Sequence, residues 1–209
     1  MEIQQELLKI YLDFFIKEGR LPYHEAELAK QSGIDEKALY AEYNSLQAIE
    51  ARLFRNWAEE TLASCAADPS FENYGAREKM LAVSFTLLET LKEHRSLVKA
   101  ILARKPGLLR NPVVKGMQVP FGDFFQALVV SGTSTGEIVA RPLIGPQYKN
   151  ILWWKILVII QFWLKDESQY FEQTDVAVER SVHLAIDLMA PNALDSAAEW
   201  MTCYLTNLK

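Results

Sequence analysis

From Ile151 to Leu164 the chain is apolar around almost its whole circumference when wound as a helix, broken only by Lys155 and Gln161. A helix without a polar face has to be covered on more than one side, by its own domain or by a second chain. The run falls short of the roughly 20 apolar residues that cross a bilayer, so the expectation is a buried helix and no membrane span. The β-branched residues Val158 to Ile160 leave a short buried strand open on periodicity alone.

The surrounding sequence can supply such cover. With 209 residues, half of them hydrophobic, the chain has material for a large core, either as one domain or as a small domain fused to a larger one. No Ser-, Gln- or Gly-rich tract interrupts it, and the start, Met1 to Glu6, lacks the basic and apolar regions of a signal peptide. A cytoplasmic protein is expected. Cys65 and Cys203 stand far apart, with no CxxC and no Cys/His cluster, which argues for reduced thiols over a disulfide framework or a metal site.

Helical spacing recurs along the whole length. Ile3 to Phe15 predicts a first helix ending near Glu18, before Gly19. Helices are then expected over 25–31 and 36–42, the second capped by Asp35, with Ser32-Gly33-Ile34 as the break between them. Ser45 caps a helix that persists to Asp68-Pro69. Further helices are predicted over 77–92, 94–103, 113–130 with an interruption at Pro120, 147–165, 171–189 and 192–206. The clearest loops are Lys105-Pro106-Gly107, Gly132 to Gly136 and Pro142 to Pro146. The fold class expected is all-α.

Two short helices around a glycine suggest a helix-turn-helix, in which the second helix enters the DNA major groove and the first braces it. Leu28, Ala29, Ile34 and Leu39 would form its miniature core, and Gly33 would take the turn. The order Leu28-Ala29-Lys30-Gln31-Ser32-Gly33-Ile34, followed by Ala38-Leu39-Tyr40-Ala41-Glu42-Tyr43 and Ala48-Ile49, resembles the DNA-binding domain of the tetracycline-repressor (TetR) family. Phe162 to Ser168, Phe171 to Asp175 and Arg180 to Val182 look like the C-terminal domain of a TetR subgroup common in Bacteroidetes.

The resemblance implies a TetR-like architecture: an N-terminal three-helix helix-turn-helix domain over residues 1–46 and a helical ligand-binding and dimerisation domain over 47–209. It also implies a homodimer that binds double-stranded operator DNA, with His24, Lys37 and Tyr40 as candidate contacts and Tyr43 in the core. The chain departs from the family pattern at Leu46, where a phosphate-contacting lysine is frequent. Between Tyr23 and Tyr43, Lys30 and Lys37 are outnumbered by Glu25, Glu27, Asp35, Glu36 and Glu42, and the whole chain carries a net charge of -5, so any DNA affinity must be local.

Met117, Phe121, Phe124, Phe125, Trp154 and Phe162, with Trp153 and Trp163 beside them, could line a pocket for a small hydrophobic or amphipathic ligand; close packing is the bland reading of each one singly. No cofactor, metal or catalytic signature is found, and Asp166, Glu167, Asp175 and Glu179 are read as helix caps ahead of acid-base groups. The expected function is a ligand-responsive transcriptional regulator. The alternative is a lipid or isoprenoid binder that has lost DNA binding, since a coenzyme Q biosynthesis protein uses this fold in that way and shares a similar Asp-x-Ser…Thr…Arg stretch.

Overall fold

A computed structural model describes residues 2–104, 107, 111–142, 144–192, 195, 200, 203 and 204, and among them every regular element is helical. The helices are α1 (Glu2–Glu18), α2 (Glu25–Ser32), α3 (Glu36–Glu42), α4 (Leu46–Ala66), α5 (Ala76–Lys92), α6 (Arg95–Ala103), α7 (Gln118–Thr135), α8 (Tyr148–Lys165) and α9 (Glu172–Met189). Short 3-10 turns over Phe71–Asn73, Val114–Met117, Gly145–Gln147 and Gln169–Phe171 join some of them. The strand left open at Val158 to Ile160 does not form; those residues lie inside α8. None of the described helices is long and apolar enough to cross a membrane.

The first three helices form a small cluster against α4, which also packs against the later helices. There α4 meets α5, α7 and the Val114–Met117 turn, while α8 is flanked by α7, α9 and α5. At one point the approach is a backbone contact: a β-carbon added at Gly116 would sit 1.9 Å from the carbonyl oxygen of Ala51 on α4. Only glycine fits there without moving the spine.

Two expectations are corrected. The helix expected to end at Val130 continues to Thr135, so Gly132 is helical and the turn falls at Gly136, whose φ is 80°. Gly132 serves packing: Ile138 folds back over it, and a β-carbon there would meet the Ile138 Cδ1 at 2.7 Å. Nor does Pro120 interrupt the helix. It is the third residue of α7, in the first turn, where a backbone N–H has no partner within the helix. Most of the helix expected over 192–206 and most of the Lys105-Pro106-Gly107 loop lie outside the described residues.

Among the described residues, the all-round apolar helix is covered on one side. Leu152, Ile156, Ile159, Ile160 and Trp163 of α8 are buried. Trp154, Val158 and Phe162, four residues apart on the other side, are 56%, 54% and 40% exposed. On α9, Val176, Leu184 and Leu188 are exposed as well.

Candidate functional site

Three side-chain caps build the helix-turn-helix. His24 starts α2, its Nδ1 accepting from the Glu27 backbone N–H at 3.1 Å, which leaves the ring proton on Nε2. Gly33 ends α2 with φ 72°, a left-handed conformation that glycine takes without steric penalty. Asp35 starts α3 by accepting from the Lys37 N–H at 3.2 Å, and Ser45 starts α4 by accepting from the Ala48 N–H at 3.2 Å. Leu28 and Leu39 are wholly buried and Ala29 nearly so. The miniature core therefore forms as the sequence indicated, and Tyr43 is part of it.

His24, Lys37 and Tyr40 are all exposed. Their surroundings are acidic. The Tyr40 phenol is held above its usual pKa first by partial burial, then by the carboxylates of Glu25 and Glu36. Part of the acid excess is nevertheless absorbed within the domain. Glu25 Oε1 accepts from the Leu46 N–H at 2.9 Å, tying α2 to the first turn of α4. Glu27 pairs with Arg20 and accepts from the Tyr23 N–H at 2.8 Å. The guanidinium first, and then that N–H, hold the Glu27 carboxyl down at about 2. Leu46, at the position where the family often has lysine, is buried and supplies no phosphate anchor.

The first helix and the end of α6 are tied to α4 through the buried carboxylate of Glu50. It accepts from the Tyr11 hydroxyl at 2.6 Å and from Arg104 at 2.9 Å. Arg104, at the end of α6, also donates to the Pro22 carbonyl at 2.5 Å. The other end of α6 carries Arg95, which donates to the carbonyls of Trp163 at 3.2 Å and Asp166 at 3.1 Å, where α8 ends. Its guanidinium lies 5.4 Å from the ring centre of Trp163 and 4.9 Å from that of Phe171. Both contacts are favourable, a cation over π-faces and a cation at a helix C-terminus. Phe171 has φ 63°, an uncommon conformation for a bulky residue, which these contacts help to hold.

The six expected ligand-lining residues divide. Met117, Phe121 and Phe125 are fully buried; Phe124 is partly buried, its ring 5.6 Å from Phe125 and 6.5 Å from Phe71. Trp154 and Phe162 do not join them, because both stand on the open side of α8.

Asp166 behaves as a cap. One carboxylate oxygen accepts from the N–H and hydroxyl of Ser168, at 2.8 and 2.6 Å, and the other from the N–H and hydroxyl of Thr174, at the same two distances. Burial acts to raise its pKa, but these four bonds outweigh it and hold the group at about 2. The Asp-x-Ser…Thr pattern is thereby accounted for as the junction of α8 and α9. Among the described residues no group of His, Cys, Asp and Glu is placed to hold a metal ion.

Arg95, Arg104 and Lys155 were not singled out as site residues from sequence. The arginines sit in unremarkable amphipathic context, while Lys155 left one signal, as a charge inside an apolar run. The structure buries it, with its amine hydrogen-bonded to the Ser84 hydroxyl on α5.

Residues 79–202 match a family model described as "Tetracyclin repressor-like, C-terminal domain". No curated protein matches the chain. Among solved structures, a proposed TetR-family transcriptional regulator from Syntrophomonas wolfei superposes with a TM-score of 0.63 at 17% identity, covering 91% of this chain and 98% of that one. A proposed TetR-family transcription regulator from Shewanella sp. PV-4 gives 0.60 at 16% identity, covering 90% and 98%. A Rhodococcus sp. RHA1 protein of unknown function gives 0.55 at 16% identity, covering 90% and 95%. At these identities the structural likeness speaks for the fold.

Proposed function

This chain belongs to the tetracycline-repressor-like family, and from that premise we propose that it is a transcriptional regulator that binds operator DNA as a homodimer and responds to a small hydrophobic or amphipathic ligand. The observation that carries the reading is an exposed α3, braced by α2 across Gly33 and presenting Lys37 and Tyr40 to solvent beside the His24 cap. Phosphate oxygens suit such groups at helix starts.

The division into a DNA-binding part, 1–46, and a ligand-binding and dimerisation part, 47–209, belongs to the same proposal. The open stripe of Trp154, Val158 and Phe162 on α8, with Val176, Leu184 and Leu188 on α9, supports pairing of two copies. Exposed apolar area of this kind marks an interaction surface. A two-fold pair would set its α3 helices about 34–36 Å apart, one turn of DNA. Trp154 and Phe162 then serve the pairing, and the ligand lies nearer Met117, Phe121, Phe124 and Phe125. Helix α6, fixed by Arg95 to the end of α8 and by Arg104 to α4 and Pro22, supports a mechanical route between the halves.

The decisive experiment is anisotropy titration of the protein against fragments of its own upstream DNA over a range of salt concentrations. A regulator shows binding that falls steeply with salt, since each neutralised phosphate releases counterions. The Glu25 and Glu36 carboxylates near Tyr40 favour a second reading, a lipid or isoprenoid binder without DNA function. Absence of binding even at low salt, with lipid recovered by mass spectrometry from the purified protein, would decide for it.

A further inference from the structure

Of the charged side chains buried in the described residues, Glu50 accepts from Tyr11 and pairs with Arg104, and Asp166 accepts four hydrogen bonds, whereas Lys155 has no charged partner among the described residues. Its residue is 7% exposed, on α8. Its amine reaches one partner, the Ser84 hydroxyl on α5, which is itself wholly buried and gives its own proton to the Met80 carbonyl. An ammonium has three donors. Among the described residues no carboxylate comes within ion-pair range of it.

Burial alone pushes the amine down to about 7, with no charged neighbour contributing. A methionine in this place would fill similar space without burying an amine, and such replacements are often neutral or stabilising. The lysine therefore needs a reason outside the chain's own packing. A partner subunit does not supply it. The amine points to α5, inside the domain, whereas the open stripe of α8 is formed by Trp154, Val158 and Phe162.

We propose that Lys155 is the anchor for an anionic ligand head group: the C-terminal domain takes a carboxylate-bearing amphipath, its acid paired with the Lys155 ammonium, its apolar body among α5, α7 and α8. The inference rests on the ligand-binding reading above and names the chemistry of that ligand. Beyond the bond it gives to Ser84, the ammonium keeps two donors, which match the two oxygens of a carboxylate. The buried residues of these helices include the apolar Met80, Val83 and Leu87 on α5, Phe121 and Phe125 on α7 and Leu152, Ile156 and Ile159 on α8. A carboxylate brought into this site meets a counter-charge in a medium where the pair is poorly screened.

The test is titration calorimetry of the full chain with dodecanoate, 1-dodecanol and dodecyltrimethylammonium, which share one apolar body and differ in head-group charge. The expected order is dodecanoate first, by about tenfold or more over the alcohol, as for a charge-assisted hydrogen bond in a buried site. Lys155→Met should abolish that preference while still binding the alcohol, and Lys155→Arg should retain it. Circular dichroism and thermal melting confirm that each variant folds. Equal binding of acid and alcohol by the natural protein needs no variant and overturns the anchor while leaving an apolar ligand site standing. So does a preference that survives in Lys155→Met. If none of the three binds, the ligand-binding reading itself falls and takes the anchor with it.

Discussion

The two halves of the molecule hold their helix ends by different means. In the helix-turn-helix each of the helices α2, α3 and α4 is started by a side chain immediately before it, His24, Asp35 or Ser45. In the larger half, α6, α7 and α8 start with no side-chain cap at all. Glu78 at the start of α5 and Asp166 at the start of α9 act locally, but other groups that hold helix ends there come from far along the chain. Arg95 satisfies the last carbonyls of α8 from about 70 residues away, and Arg141 donates to the Leu188 and Ala190 carbonyls at the end of α9, at 2.7 and 2.9 Å. Arg141 is in turn held by the Asp195 carboxylate at 2.6 and 2.7 Å. The starts of α2, α3 and α4 are thus specified locally, whereas the ends of α8 and α9 rest on partners distant in sequence.

This contrast can be broken by experiment. The largest effect is expected from Arg95→Ala, which removes bonds to the end of α8 and two ring contacts at once. It should cost about 2–3 kcal/mol in urea unfolding, and most of the loss should appear in the tryptophan signal of the larger half. A loss below about 0.5 kcal/mol would show that this long-range cap is decorative.

Next comes Lys155→Met, which sharpens the comparison by removing a polar group that has no local purpose. Below pH 7 the lysine is protonated both folded and unfolded, so the native state carries the full penalty of a buried charge. From pH 7 to about 10.5 the unfolded chain keeps a proton that the folded one has released, and the stability of the natural protein rises with pH. The methionine variant should therefore melt higher than the natural protein near pH 6, by about 2–4 °C for each kcal/mol gained, and this advantage should shrink towards pH 10.5. Parallel melting curves across that range would show that the amine is not desolvated.

The smallest effect is expected from Asp35→Ala. Losing one exposed helix cap costs about 1 kcal/mol. Hydrogen exchange should report it in α3 and leave the amides of α8 and α9 unchanged. Spread of the change into α8 would mean that the small domain is not a separate unit.

The same contrast explains what could be read from the residues alone. Helices α1 to α4 were legible nearly to the residue because their boundaries are written in neighbouring side chains, Asp35 before α3 and Ser45 before α4. Gly132 misled because glycine commonly signals a break, and only Ile138 folding back over α7 gives it a packing role. Lys155 and Ser84 are 71 residues apart, and no periodicity brings them together. Trp154 and Phe162 looked equivalent to Phe121 and Phe125 as bulky aromatics. Which side of a helix lies open depends on where its neighbours dock, a property of the assembly.

Helix α6 is nine residues long, a rod of about 13 Å with a guanidinium grip at either end. A short rod held at both ends transmits a tilt from one end to the other. A tilt of five degrees about the Arg95 end swings the Arg104 end through about 1 Å, comparable to the helix shifts that throw packed interfaces from one arrangement to another. The carboxylate of Glu50 and the carbonyl of Pro22 would have to follow or let go.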